Sequence, residues 1–376
     1  MKKRTFIRTL GAGGMGLVLR GSLPGGTLAE ALGQNLRRKN WAWVGKSVNT
    51  TDDNWKKIFG AARRANIDAV IPEVYDGQEA YYASTRHPVA SDWLARLLPI
   101  AKAEGLECHA WMWSMPCNQE EVRRLHPEWF CVNRNGESAW EKPAYVDYYR
   151  FLCPSRPEVW EFLKGTVTEL GSIAEIAGIH LDYIRFPDVI LAKRFQLKYG
   201  IVQDREYPAY DYCYCEVCRE GFKSMTGVDP LKLPDPTANP EWRQFRYDLI
   251  TRLVNTVLVP AGRQCGKIVT AAVFPNWESV RQQWTAWDLD GVMPMLYHGF
   301  YDENIDWIRR HTARGVEHLK ERTPVYSGLF VSHLTPTALK DAYAASIAGG
   351  ARGVALFDAQ SMTDEHWESL RYVVSQ

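Results

Sequence analysis

The sequence predicts an α/β fold, a (β/α)8 TIM barrel with long inserts after its third and fourth strands. Three observations predict it. From residue 36 onward, eight short apolar runs alternate with amphipathic stretches, the pattern of βα units that build a parallel sheet. A doubly wound open sheet would want a glycine-rich phosphate loop after its first strand, and none is there. Finally, acidic and aromatic residues gather at the carboxyl ends of the runs, where barrel enzymes keep their chemistry.

Residues 41–45 read as the first strand, and Asp52, Asp53 and Asn54 supply cap candidates for the helix after it. The remaining strands are expected at 67–75, 106–113, 176–186, 267–274, 289–297, 324–330 and 351–357. Helical periodicity falls between them at 92–104, 157–173, 241–263, 302–314 and 336–349. Two connections, 114–156 and 188–240, are too long to be simple links, and both follow strand carboxyl ends. They are read as walls of a substrate groove, the second one tyrosine-rich and cysteine-bearing. No internal repeat or low-complexity tract interrupts the barrel at 36–376.

The charged head Met1-Lys2-Lys3-Arg4-Thr5-Phe6-Ile7-Arg8, a weakly apolar run at 9–19 and small residues near Ala29 follow signal-peptide grammar. Residues 1–29 resemble a twin-arginine export signal in which Lys3 stands for the first arginine. The expected location is therefore the periplasm or the extracellular space. No later run reaches the ~18 apolar residues that a spanning helix needs. A formal charge of +1, from 45 basic and 44 acidic residues, argues against nucleic acid as a partner. The unusual numbers are 15 Trp and 18 Tyr. Large aromatics fill cores, and they also make flat platforms for the C–H faces of sugar rings.

The stretch Ile176-Ala177-Gly178-Ile179-His180-Leu181-Asp182-Tyr183-Ile184-Arg185-Phe186-Pro187 carries the sharpest signal. Strand alternation puts His180 and Asp182 on one face and Leu181 and Tyr183 on the other. Arg185, three residues on, is expected to pair with Asp182, lower its pKa and hold it ionised. Other strand ends offer Glu73, Asp358 and Glu278 as carboxyls. His109, Trp111, Trp113, Trp277, Tyr297 and His298 join His180 and Arg185 as candidate substrate contacts. Several carboxyls in a Trp- and Tyr-lined cleft suit glycoside hydrolysis. That reaction needs one protonated carboxyl for the leaving oxygen and one ionised carboxylate for the anomeric carbon or a water. Asp182 is read as the ionised group, with Glu73, Asp358 or Glu278 as the acid.

The motif Gly178-Ile179-His180-Leu181-Asp182-Tyr183-Ile184-Arg185-Phe186-Pro187 resembles a signature of the bacterial glycosyl hydrolase-like family 10 proteins. His126-Pro127-Glu128-Trp129 and Leu152-Cys153-Pro154-Ser155-Arg156-Pro157-Glu158-Val159 are similar to the segment after the family's third strand. Ala272-Val273-Phe274-Pro275, Met293-Pro294-Met295-Leu296-Tyr297 and Trp242-Arg243-Gln244-Phe245-Arg246 follow in the family's order. The resemblance implies an exported barrel hydrolysing a polysaccharide or cell-wall glycan, with Asp182 as its main catalytic residue and Arg185 beside it. The alternatives are a carbohydrate-binding barrel without activity and a metal-dependent hydrolase of a non-sugar substrate. The second would want an H-x-H on the first strand, which holds Trp41 and Trp43 instead. No cofactor is expected, and the oligomeric state is left open. Of the eight cysteines, Cys213, Cys215 and Cys218 crowd together in the second insert as a candidate structural metal site or a disulfide source. A fourth ligand is not apparent near them.

Overall fold

The computed structural model describes residues 38–376. Eight strands form one sheet: β1 (Trp41–Val44), β2 (Ala69–Tyr75), β3 (Glu107–Trp113), β4 (Gly178–Asp182), β5 (Ile268–Val273), β6 (Gly291–Pro294), β7 (Ser327–Phe330) and β8 (Val354–Phe357). All pair in parallel, in the order β6-β5-β4-β3-β2-β1-β8-β7. Parallel bridges Val292 to Val325 and Met295 to Gly328 link β6 to β7, so the sheet is a nearly closed barrel. The export-signal reading at 1–29 lies outside the described residues. Among those residues, no helix is long and apolar enough to cross a membrane.

Each strand is shorter than its apolar run, because barrel pairing ends where the chain must turn out to the helix. Inward positions follow strand alternation. Trp41, Trp43, Ile71, Trp111, Ala272, Met293, Tyr326 and Ala355 pack together as the barrel's interior. Gly178 gives room for His109 at the bottom: a Cβ there would stand 2.4 Å from His109 Nδ1. A second core, between strands and helices, takes residues such as Phe59, Leu97, Leu163, Leu339 and Leu370.

Side-chain caps start the helices. Thr51 accepts from the Asn54 amide, Asn239 from Trp242, Asn304 from Trp307 and Thr335 from Ala338, each contributing about 0.5–2 kcal/mol. The helix expected at 241–263 is not uniform. It runs as Pro240–Leu253, widens into a π turn at Val254–Leu258 and resumes at Val259–Gln264. Pro260 has no N–H to donate to the preceding turn, and the wider turn absorbs that loss.

The two inserts pair with each other above the barrel. Asn133 bridges Tyr212, and the Tyr214 amide donates to the Val132 carbonyl at 2.7 Å. A buried ion pair, Arg246 with Asp211, fastens the second insert to the helix Pro240–Leu253. Arg246 also donates to the Tyr212 carbonyl at 3.0 Å, Tyr214 Oη donates to Asp211 at 2.5 Å, and Trp242 Nε1 donates to Tyr214 Oη at 3.0 Å. Removing one partner leaves a buried charge without its counterion. Asp211→Ala should therefore lower unfolding stability by roughly 3–5 kcal/mol in urea titrations, and Asp211→Ala with Arg246→Met should recover part of that loss.

Candidate active site

The carboxyl ends of the strands open onto a cleft of about 930 Å³. Its chemistry follows from register. Glu73 on β2 stands opposite Trp111 on β3, and Trp113 stands opposite Asp182 on β4. Trp111 Nε1 reaches across to donate to Asp182 Oδ2 at 3.1 Å. Trp111 thus stands on the strand between those of the two carboxyls, and all three residues line the cleft with Trp113.

Glu73 is buried, and its Oε2 accepts from the Lys46 amide at 3.3 Å. Burial pushes its pKa up to about 7 against the pull of Lys46, and the charges of Asp76 and Asp182 add to the rise. Asp182 lines the cleft and is half-buried. Burial pushes it up to about 6, while the Tyr183 amide, the Arg185 charge and the Trp111 indole favour the ionised form. The Tyr183 N–H donates to Asp182 Oδ1 at 2.7 Å. Of the two, Glu73 keeps its proton to the higher pH.

The expected pairing of Arg185 with Asp182 is not formed. Arg185 is buried and donates to Asp188 Oδ2 at 2.9 Å, to the Phe186 carbonyl at 2.9 Å and to Tyr149 Oη at 3.2 Å. Its guanidinium lies over the rings of Phe274 and Tyr183. It braces the cleft wall and acts on Asp182 only through its charge, so Asp182 is raised rather than lowered. Tyr183 departs from the expected alternation as well. Its backbone is left-handed, with φ +50°, an uncommon state for a bulky residue. That turn ends β4 at Asp182, short of the expected 186, and brings Tyr183 into the cleft lining, 4.5 Å from the Trp113 ring.

Other candidates fall elsewhere. His180 is fully buried, accepting from Trp43 Nε1 at 3.1 Å and meeting Thr270 Oγ1 at 2.9 Å. Burial lowers its pKa to about 3, so it is a neutral histidine of the barrel interior. His109 is lower still, 3.0 Å from Glu107 Oε2 and edge-on to Trp41. Neither touches the cleft. Asp358 caps the turn Ala359–Ser361 by accepting from the Ser361 amide at 2.9 Å, and it is not among the residues lining the cleft. Glu278 does line the cleft, but at its rim, half-exposed and paired with Arg314 at 3.0 Å. Trp277 packs edge-on against Tyr247 outside the lining, and His298 lines a separate cavity with His333. Tyr297 lines the cleft, beside Phe330 and Phe357.

Sequence reasoning missed the tyrosines of the first insert. Tyr145, Tyr148 and Tyr149 crowd one short stretch of sequence and form one wall of the cleft. It also missed Glu206, which lines the cleft paired with Arg281 and has no distinguishing sequence context. The cysteines of the second insert gather outside the cleft, and Cys153 of the first insert joins Cys213, Cys215 and Cys218.

Solved structures share this architecture. The glycoside hydrolase domain of PgaB (BpsB) from Bordetella bronchiseptica aligns with a TM-score of 0.67 at 12% identity, over 90% of this chain and 98% of that one. The catalytic domain of β-amylase from Paenibacillus polymyxa aligns at 0.62 and 9% identity, over 89% and 97%. A β-galactosidase from the haloarchaeon Halorubrum lacusprofundi aligns at 0.64 and 12%, over 90% of this chain and 57% of that longer one. At these identities the likeness is one of fold. A sequence comparison with curated proteins finds no match. The cleft residues Glu73, Trp111 and Asp182 all fall within the segment 65–336 that matches the family described as Glycosyl hydrolase-like 10, and the chain belongs to that family.

Proposed function

We propose that this protein is a glycoside hydrolase acting on a polysaccharide or cell-wall glycan outside the cytoplasm, with Glu73 as general acid and Asp182 as the ionised carboxylate. The observation that carries the reading is the pair of carboxyls, Glu73 buried and Asp182 half-buried, raised to about 7 and about 6 on strands that flank Trp111 in an aromatic cleft. Between those values Glu73 is protonated and Asp182 ionised, the division of labour that glycosidic cleavage requires. Glu73 gives its proton to the leaving oxygen. Asp182 attacks the anomeric carbon or takes a proton from water, while Trp111 and the Tyr183 amide steady its charge. Trp113, Tyr183 and Tyr297 offer faces for sugar rings. The cleft volume is at the upper end for small-molecule sites, which suits an oligosaccharide segment better than a single sugar. Family membership supports a carbohydrate substrate.

Substitution separates the roles. Glu73→Gln should lower kcat by roughly 10²–10⁴-fold on a natural glycan, and much less on an aryl glycoside whose leaving group needs no proton. Asp182→Asn should lose activity on both, read as released reducing ends and as released phenol. Wild-type activity in Asp182→Asn would overturn the assignment, and oligosaccharide binding without cleavage by the wild type would mark a binding protein instead.

The pH dependence follows from the same pair. The rate should fall on the acid side as Asp182 protonates near 6 and on the alkaline side as Glu73 ionises near 7, giving a narrow bell with its maximum between them. Stability moves in one direction. Both folded-state values lie above the ordinary carboxylate range, so the native state binds more protons than the unfolded chain and loses stability as pH rises through them. Glu73→Gln and Asp182→Asn should therefore melt no lower than the wild type at pH 8, and differential scanning calorimetry would check this.

A further inference from the structure

We propose that Cys153, Cys213, Cys215 and Cys218 form a structural tetrathiolate zinc site that joins the insert after β3 to the insert after β4. The four residues are buried, and their Sγ atoms all lie within 4.8 Å of one another. Cys153 Sγ is 3.5 Å from Cys215 Sγ and 3.5 Å from Cys218 Sγ. A zinc ion bound at ~2.3 Å by four sulfurs in a tetrahedron sets neighbouring sulfurs roughly 3.8 Å apart. A disulfide would need about 2.05 Å and would sort the sulfurs into two pairs. The cluster has the spacing of the first arrangement, and all four cysteines are free.

The surroundings favour thiolates. The Val132 N–H donates to Cys213 Sγ at 3.3 Å and the Cys215 N–H at 3.5 Å, so this sulfur serves as an acceptor. Ser155 Oγ is 3.0 Å from Cys218 Sγ. Cys215 is the N-cap of the helix Glu216–Thr226 and Cys218 lies in its first turn, where the helix dipole stabilises negative charge. Such bonds to ligand sulfurs are the outer support that metal thiolates ordinarily have. Nearby Cys131 is different, because its Sγ donates to the Leu152 carbonyl at 3.3 Å and so keeps its proton.

Four thiolates close a tetrahedral site, leaving no open position for substrate or water, so the role is structural. Binding releases the protons that the four thiols still carry, so affinity falls as pH falls. The inserts joined here also carry cleft walls, with Tyr145 and Tyr149 from the first and Phe195 and Glu206 from the second.

The test uses the full chain purified under reducing conditions without chelator. Elemental analysis should find one zinc per chain, released by organomercurial titration of four thiols. Cys153→Ser and Cys215→Ser should lose the zinc, and Cys131→Ser should keep it. Since loss of a ligand also removes a tie between the two inserts and with it folded protein, wild-type protein refolded with cobalt(II) supplies a second measurement. It should show the intense visible and near-ultraviolet bands of a tetrahedral cobalt thiolate. Iron in place of zinc, disulfides in the unreduced mass, or a metal-free wild type without cobalt bands would overturn the proposal.

Discussion

The register of β2, β3 and β4 is the constraint on which the cleft depends. Parallel pairing sets Glu73 opposite Trp111 and Asp182 opposite Trp113, and alternation turns Glu73, Trp111 and Asp182 inward. A slip of one residue in β3 would turn both tryptophans outward and leave the carboxyls facing apolar neighbours. The same pairing removes the carboxyls from water, which raises their pKa values. Strand geometry therefore gives two neighbouring carboxyls whose pKa values differ.

The left-handed Tyr183 adds what the sheet cannot. By ending β4 directly after Asp182, it frees its own N–H, which a continued ladder would engage, to bind the carboxylate. It also turns an aromatic ring toward Trp113. A non-glycine residue in this region costs on the order of 1–3 kcal/mol, and the surrounding contacts with Trp113, Tyr149 and Arg185 hold it there.

The strands were legible in the sequence because a closed barrel buries both faces of each one, producing unbroken apolar runs. Asp182 was legible as a charge at the end of such a run. Depth along the strand was not. His180 lies two residues below Asp182, roughly 6.6 Å deeper at the rise of a strand, and that single layer separates a dry interior histidine from a cleft residue. The three acid candidates could not be separated for the same reason. Glu73 is buried within a strand, while Asp358 and Glu278 stand just past strand ends, where amides or arginines engage them. Arg185 was misassigned because Asp188, also three residues away, competes for it and lies on the same side of the turn. Cys153 escaped notice because proximity in the fold had no trace in spacing along the chain.

That last separation has a consequence for biosynthesis. Cys153 precedes Cys215 by 62 positions, with β4 and Asp182 encoded between them. A ribosome delivers the first sulfur long before the other three, so the cluster can assemble only once the strand bearing the proposed nucleophile or base has emerged. The two loops therefore mature together, late and around a strand already made. A shuffled or grafted version of either loop would inherit half a knot.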